Sequence, residues 1–189
     1  MIRIFVCFLL FILLYNTAMA QQKPKFHSQN YIGLLEGETG SAFQLQTING
    51  VQLQTWFAGI GTGLDYYEFR TVPLFLSLQK DLQNKPRTFF LALDGGLNFL
   101  WDKESDNNRF NNFVNSEFSP RLYWAGGLGY KILLKNRRDA FMLNLGYSYK
   151  HLKEVREVPM FCINPPCPNN IERFDYRLRR LSLKLGYQF

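Results

Sequence analysis

The sequence is poor in residues that bind metals or carry out catalysis. It has two histidines and three cysteines among 189 residues. The histidines, His27 and His151, lie far apart in the chain. Ser148 falls on the opposite face of an extended strand from His151, so this pair does not converge as a nucleophile and its base. We therefore predict no catalytic, cofactor-binding or metal-binding residues and no enzymatic activity.

Long apolar runs are also missing, except for one at the amino terminus. Residues 4–14 are apolar, follow Arg3, and precede the small-residue sequence Ala18-Met19-Ala20. This order is typical of a secretory signal peptide with its cleavage site. The run is shorter than the roughly 20 residues that a spanning helix needs. We predict that residues 1–20 are a cleaved signal peptide and that residues 21–189 form one exported domain.

Two cysteines remain after this cleavage, and only four residues separate them. They are Cys162 and Cys167, with Ile-Asn-Pro-Pro between them. Exported proteins keep disulfides, whereas a structural zinc site usually needs about four ligands. No further cysteine and no nearby histidine completes such a set. The pattern favours a local disulfide over a metal pair.

Alternation of apolar and polar residues predicts strands throughout the remaining chain. Asn49-Gly50 is a strong signal for a hairpin turn, and residues 37–40 predict another turn. Alternation changes phase early in the third strand, and a bulge near residues 55–57 would account for this. The eight predicted strands are residues 29–36, 42–48, 51–66, 72–80, 88–101, 121–134, 140–152 and 176–189.

The connections between these strands alternate in length. Two of the odd-numbered connections, residues 102–120 and 153–175, are long, whereas all the even-numbered ones are short. Outer-membrane barrels have even strand numbers, short periplasmic turns and longer extracellular loops. The sequence therefore predicts an all-β fold, an eight-stranded antiparallel up-and-down transmembrane β-barrel with its amino terminus on the periplasmic side.

Each predicted strand has one face of large apolar residues and one of small or polar residues. The interior of an eight-stranded barrel has room only for side chains that fill it, so we place the large apolar face outside. A soluble lipocalin-like barrel, with the reverse arrangement, is the structural alternative. Inward charges must pair or stay hydrated, which favours a plugged interior over a conducting pore. The predicted polar network of the lumen comprises Asp65, Asp94, Lys131, Lys150, Arg180 and Lys184.

Aromatic residues make up 16% of the chain, which is high for a soluble domain. Amphipathic rings gather at membrane interfaces, and several aromatics fall near predicted strand ends. We predict an outer girdle of Tyr66, Tyr67, Trp101, Tyr123, Trp124 and Tyr149, and an inner girdle of Phe89, Phe141 and Phe189.

The final strand resembles the closing strand of bacterial outer-membrane barrels. Leu181, Leu183, Leu185, Tyr187 and Phe189 share one face, and the chain stops at the aromatic residue. The resemblance implies that Leu185, Tyr187 and Phe189 form the signal read by the barrel-assembly machinery during insertion. It also implies a location in the outer membrane.

The chain is also similar to small outer-membrane barrels of the Bacteroidota type, and in size to OmpX-like and OmpA-like barrels. Three segments carry this resemblance: residues 47–50 with Asn49-Gly50, the glycine strand of residues 59–67, and the Pro-Leu-Phe strand of residues 72–76. It implies a non-enzymatic envelope-structural or surface-interaction role. A narrow channel is the alternative, and a lipid-modifying enzyme is less favoured.

Basic residues gather around the last long connection of a chain with net charge +7. A nucleic-acid-binding protein would concentrate them on a folded face, and we predict no such partner. In an outer membrane this end of the strands lies at the lipopolysaccharide phosphates. The residues predicted to contact them are Lys153, Arg156, Arg173, Arg177 and Arg179.

Overall fold

The computed structural model describes residues 23–101, 115–136, 138–159 and 169–189. The predicted signal peptide and the Cys162–Cys167 pair lie outside the described residues. In the described ranges there is no helix long and apolar enough to cross a membrane. The strands are β1 (Lys25–Gly37), β2 (Gly40–Leu53), β3 (Trp56–Asp65), β4 (Thr71–Asp81), β5 (Arg87–Leu100), β6 (Asn115–Ser119), β7 (Arg121–Leu133), β8 (Ala140–Pro159) and β9 (Asn169–Gln188).

All neighbouring strands are antiparallel, and the sheet closes on itself. The last strand, β9, pairs with β1 from Gln29 opposite Gln188 to Gly37 opposite Arg180. Strands β6 and β7 pair with successive parts of β8 and are separated only by Pro120, which cannot donate a ladder hydrogen bond. Together they occupy one of the eight strand positions in the barrel wall. The predicted eight-stranded antiparallel barrel is confirmed.

One predicted turn is wrong. Asn49 and Gly50 lie inside β2, and the chain reverses instead at Gln54 and Thr55, where Gln54 has a positive φ of 55°. A Cβ added to Gly50 would clash with the carbonyl oxygen of Ala58 on β3, so this glycine permits close approach of two strands. The turn also explains the change of phase without the predicted bulge at residues 55–57. The predicted turn at residues 37–40 is confirmed.

Large apolar side chains cover the outer surface of the barrel. Leu76 is 67% exposed and Leu145 is 62% exposed, and other large apolar side chains are exposed on each strand of the barrel wall. The small and polar faces of the strands point into the lumen, as alternation predicted. This arrangement is the reverse of a lipocalin, which has an apolar lining and a polar exterior.

The lumen contains more aromatic residues than the sequence predicted. Tyr67 and Tyr123 are buried inside rather than placed in the outer girdle, so these two assignments are wrong. Glycines on facing strands make room for the rings: a Cβ added to Gly129 would overlap the ring of Phe90. The apolar layer that crosses the lumen comprises Tyr31, Ile48, Phe57, Phe75, Phe90, Tyr123, Ala125 and Met142.

Candidate functional site

Among the described residues, the most buried charges form a cluster in the outer half of the lumen. Asp65, at the end of β3, is 1% exposed. Its Oδ1 lies 3.3 Å from Lys150 Nζ, and Arg180 donates a hydrogen bond to its Oδ2. Arg180 also donates to Ser148 Oγ at 2.7 Å. One carboxylate therefore balances two cations on neighbouring strands, and we name Asp65, Lys150 and Arg180 the outer ion cluster.

The outer ion cluster holds the connection between β3 and β4, residues 66–70, in the outer opening of the barrel. Lys150 Nζ donates to the carbonyl oxygens of Tyr67 at 2.8 Å and Phe69 at 3.0 Å. The Tyr67 ring lies 5.4 Å from the Arg180 guanidinium, and its hydroxyl accepts a hydrogen bond from the Thr39 amide at 3.0 Å. Because Tyr67 is buried, it blocks the mouth at this level.

A three-stranded sheet of β6 and the upper parts of β8 and β9 stands above this mouth. Its inward face continues the lumen face of the barrel. The Phe69 ring packs against Tyr176 with centroids 4.9 Å apart and against Phe118 at 5.8 Å. Leu152 is fully buried beside them. The outer end of the barrel is therefore sealed by loop and sheet together.

The middle of the lumen holds a second, smaller group. Lys184 Nζ lies 3.6 Å from Asp94 Oδ2 and donates to Gln46 Oε1 at 2.9 Å. Gln46 in turn donates to the Tyr123 hydroxyl at 2.9 Å. A cavity of about 10 Å³ lies against Asp94 and Ser182, the space of roughly one water molecule.

The inner end of the lumen has a third group that sequence reasoning missed in part. Lys131 Nζ lies 2.8 Å from Asp81 Oδ2, and Gln52 donates to the same oxygen at 3.2 Å. The predicted strand ends at residue 80, but Asp81 belongs to β4 and continues the inward series of Ser77 and Gln79. That alternation was the signal that could have found it.

The six lumen charges predicted from sequence are all buried, but they do not form one network. The structure divides them among the outer ion cluster, the Asp94–Lys184 pair, and Lys131 with Asp81. The apolar layer lies at the level of the Asp94–Lys184 pair, since Ala125 is opposite Asp94 in the β5–β7 ladder and the Tyr123 hydroxyl accepts from Gln46. It lies between the outer ion cluster and the pair of Lys131 and Asp81.

The residues predicted to contact lipopolysaccharide are also divided. Arg173, Arg177 and Arg179 are exposed on the outward face of β9, and Lys153 lies on the matching face of β8. Arg156 instead lies on the inward face, where its Nη2 is 2.9 Å from Glu154 and its guanidinium is 5.1 Å from the Phe174 ring. We name Lys153, Arg173, Arg177 and Arg179 the outer basic rim.

His151 lies beside the outer basic rim and contacts a carboxylate. Its Nε2 is 3.0 Å from Asp175 Oδ1, and Arg177 Nε is 3.2 Å from the same oxygen. Desolvation raises the pKa of Asp175, but the charges of His151 and Arg177 outweigh it and hold the pKa below its usual range. Ser148 is inside the wall with Arg180, so His151 and Ser148 do not meet.

The final strand presents its apolar residues outward. Leu185 and Phe189 are exposed, and the Tyr187 ring packs on Phe141 with centroids 5.4 Å apart. The backbone of Phe189 pairs in both directions with Ser28, at 2.9 and 3.0 Å. The last residue of the chain is therefore part of the seam that closes the barrel.

Within the described residues, no group of three or more His, Cys, Asp or Glu side chains is placed to hold a metal ion. No protein-family model matches the chain, and no curated protein sequence matches it.

Solved structures do resemble it. The outer membrane protein OprG from Pseudomonas aeruginosa superposes with a TM-score of 0.57 at 14% identity, over 88% of this chain and 95% of that one. Neisserial surface protein A gives 0.53 at 13% identity, over 88% and 98%. The amino-terminal barrel domain of OprF from Pseudomonas aeruginosa gives 0.50 at 9%, over 89% and 98%. The chain thus has the fold of the small outer-membrane β-barrels.

Proposed function

We propose that this chain is a non-enzymatic integral protein of the outer membrane, with an envelope-structural or surface-interaction role. The observation that carries the proposal is the closed barrel with large apolar side chains outside and charges inside. A closed barrel satisfies its backbone hydrogen bonds within itself, as the hydrocarbon core requires. So large an exposed apolar surface is rare on soluble monomers and marks a contact with lipid or protein.

Expression of the full chain in a Gram-negative host tests this placement. We expect the protein in the outer-membrane fraction, with different gel mobility before and after boiling, and with Gln21 as its first residue. Deletion of Phe189 should reduce insertion, because Leu185, Tyr187 and Phe189 are the proposed signal for the barrel-assembly machinery. A soluble periplasmic protein with unchanged mobility would contradict the proposal and favour the lipocalin-like alternative.

The outer basic rim supports a role at the lipopolysaccharide layer. Arg179 lies opposite Tyr149 in the β8–β9 ladder, and the Tyr149 ring stacks with Trp124 on the apolar outer surface. Aromatic rings of this kind sit at the membrane interface. The arginines immediately beyond them would then lie at the depth of lipid phosphates, with which Arg forms charge-assisted hydrogen bonds.

The matched experiment compares two triple variants, each losing three positive charges. We expect Arg173→Gln/Arg177→Gln/Arg179→Gln to lower the lipopolysaccharide that copurifies with the barrel several-fold. Lys23→Gln/Lys25→Gln/Lys85→Gln, at the opposite end, should leave it unchanged. Equal loss in both variants would mean that net charge alone, and not the outer basic rim, attracts the lipid.

A sealed lumen is our reason to favour a structural role over the alternative of a narrow channel. Tyr67 blocks the outer mouth, and the apolar layer crosses the middle. In planar bilayers we therefore expect no steady conductance. Discrete conductance steps that disappear when Tyr67→Trp enlarges the plug would favour the channel instead.

The absence of catalysis is likewise a proposal. It is supported by the separation of His151, which contacts Asp175 outside, from Ser148, which contacts Arg180 inside. We expect gene deletion to leave the lipid A and phospholipid composition of the host unchanged. A changed composition that the wild-type gene restores and His151→Ala does not would indicate a lipid-directed enzyme.

We also propose that the chain is similar to barrels of the Bacteroidota type in particular, and this proposal rests on sequence segments alone. One of its motifs, Asn49-Gly50, lies within β2 and not at a turn. The glycine strand and the Pro-Leu-Phe strand support it still, because both line up in the wall as β3 and β4.

A further inference from the structure

The inner end of the barrel holds an open pocket of about 500 Å³. Lys131 and Asp81, at the ends of β7 and β4, lie at its base. Lys23 precedes β1 and Lys25 is its first residue, and both line the pocket together with Lys85 from the turn between β4 and β5. Because residues from five separate segments line it, the pocket is a feature of the folded barrel and not of one loop.

The charge of this inner pocket is strongly unbalanced. Four lysines line it, and Asp81 is the single carboxylate among its lining residues. Asp81 is already engaged by Lys131 at 2.8 Å and by Gln52 at 3.2 Å. Lys23, Lys25 and Lys85 form no ion pair within the described part of the chain, so three positive charges face the pocket without a counter-charge.

His27 adds an unsatisfied polar atom beside the same pocket. It lines the same pocket and is 4% exposed, and its Nδ1 has no hydrogen-bond partner in the described structure. A buried polar atom is costly unless it is hydrogen-bonded. Water does not reach Nδ1 in this arrangement, so a ligand oxygen in the pocket would become its partner only after the imidazole ring rotates.

We propose that the inner pocket binds the phosphate group of an anionic ligand. Lysine ammonium groups bind phosphate as point charges, and several of them together attract a multivalent anion more strongly than a singly charged carboxylate. Three of the four lysines that line the pocket form no ion pair within the described residues. The phosphate belongs either to a free multivalent anion or to a phospholipid headgroup of the inner leaflet. The second source also requires the membrane placement proposed above, and the first does not.

Histidine NMR tests this directly, because the chain has two histidines at opposite ends of the barrel. The mature chain would be refolded in an uncharged, phosphate-free detergent with histidine isotopically labelled, and titrated with pyrophosphate at constant ionic strength. We expect the His27 imidazole signals to shift and saturate while those of His151 stay in place. In a second arm, phosphatidylglycerol is compared with an uncharged, phosphate-free lipid in the same micelles.

The variant Lys23→Gln/Lys25→Gln/Lys85→Gln should lower the affinity for pyrophosphate, measured from the His27 shifts, by at least roughly tenfold. The loss of one charge-assisted contact is already worth about that factor. The outer variant Arg173→Gln/Arg177→Gln/Arg179→Gln should retain the wild-type affinity. If the inner triple variant does not refold, Lys85→Gln alone should give a smaller loss in the same direction. A response to pyrophosphate identifies a free anion, and a response to phosphatidylglycerol alone identifies a headgroup.

Three results would overturn the proposal. His27 could fail to respond in both arms, or His27 and His151 could shift together, as bulk salt would cause. A response that the lysine variants leave unchanged would show that the lysines do not hold the anion. None of these results depends on whether the barrel also contacts lipopolysaccharide at its other end.

Discussion

The two ends of the lumen use the same chemistry, a carboxylate with basic partners, under opposite conditions. At the outer end, Asp65 is 1% exposed, has two cations, and lies beneath a connection that closes the mouth. At the inner end, Asp81 is 9% exposed, has one lysine, and borders an open pocket. Water can reach the second site and not the first. We infer that the outer ion cluster is structural, whereas the inner group belongs to a surface that can bind.

The comparison matters because buried charges depend on their partners far more than hydrated charges do. Removal of one partner from a fully buried pair leaves an uncompensated charge, whereas a charge near water can be rehydrated. Energies estimated from distance alone would rank Lys131–Asp81, at 2.8 Å, above Lys150–Asp65, at 3.3 Å. Access to water reverses this ranking.

The largest effect should come from Asp65→Asn. This change keeps the shape of the side chain but leaves Lys150 and Arg180 buried without a counter-charge. Breaking a buried ion pair costs about 3–5 kcal/mol. We expect a loss of that order in the free energy of unfolding, measured by denaturant titration of the refolded barrel in detergent.

Asp175→Asn is the matched control for this change, because Asp175 also contacts two basic side chains but does so at the exposed surface. Exposed pairs contribute little to stability, so its unfolding midpoint should stay near that of the wild type. If both variants lost the same stability, the burial of the outer ion cluster would not be what makes it important.

An intermediate effect is expected in the apolar layer that separates the two ends. In Gly129→Ala, the added methyl group meets the Phe90 ring and the carbonyl oxygen of Leu143. Such overpacking costs about 1–3 kcal/mol. Gly95→Ala on the outer surface is the control, because an added Cβ there has no neighbour within 4 Å. Equal stability of the two variants in the same denaturant titration would mean that the lumen can yield, and that the layer is not a rigid plug.

Sequence reasoning succeeded where one local pattern decides the outcome. Alternation of residue types gave the eight strands of the closed barrel, their inward and outward faces, and the inward direction of all six predicted charges. It was wrong about the two long predicted connections, which contain β6 and the outer parts of β8 and β9. The prediction of a turn at Asn49-Gly50 was wrong because a local pattern does not decide the structure at this position. Its dipeptide signal is local, but the need for glycine at position 50 comes from the backbone of Ala58 on the next strand.

The grouping of the lumen charges could not be read from the sequence in the same way. Asp65 meets Arg180 across 115 residues of sequence, and that meeting depends on how far the strands are staggered around the barrel. The inner pocket depends on the same closure, since it brings Lys23, Lys85 and Lys131 to one end. Strand alternation predicts whether each side chain points inward or outward, but it does not predict the position of that side chain along the barrel axis.

The smallest effect on stability should come from Asp81→Asn, and it separates the two ends most sharply. Lys131 loses its carboxylate and is itself 2% exposed, but it lines the open pocket, so a small movement of its side chain brings the ammonium group into water. We expect a cost of about 1–2 kcal/mol, near that of one lost charge-assisted hydrogen bond and well below the cost of Asp65→Asn.

The same change, Asp81→Asn, removes the single carboxylate among the described residues that line the inner pocket. It should therefore strengthen the His27 response to pyrophosphate while it weakens the fold. Asp65→Asn should leave that response unchanged in the fraction that refolds. A variant that lost stability and anion response together would show that the inner end, like the outer, is built for structure alone.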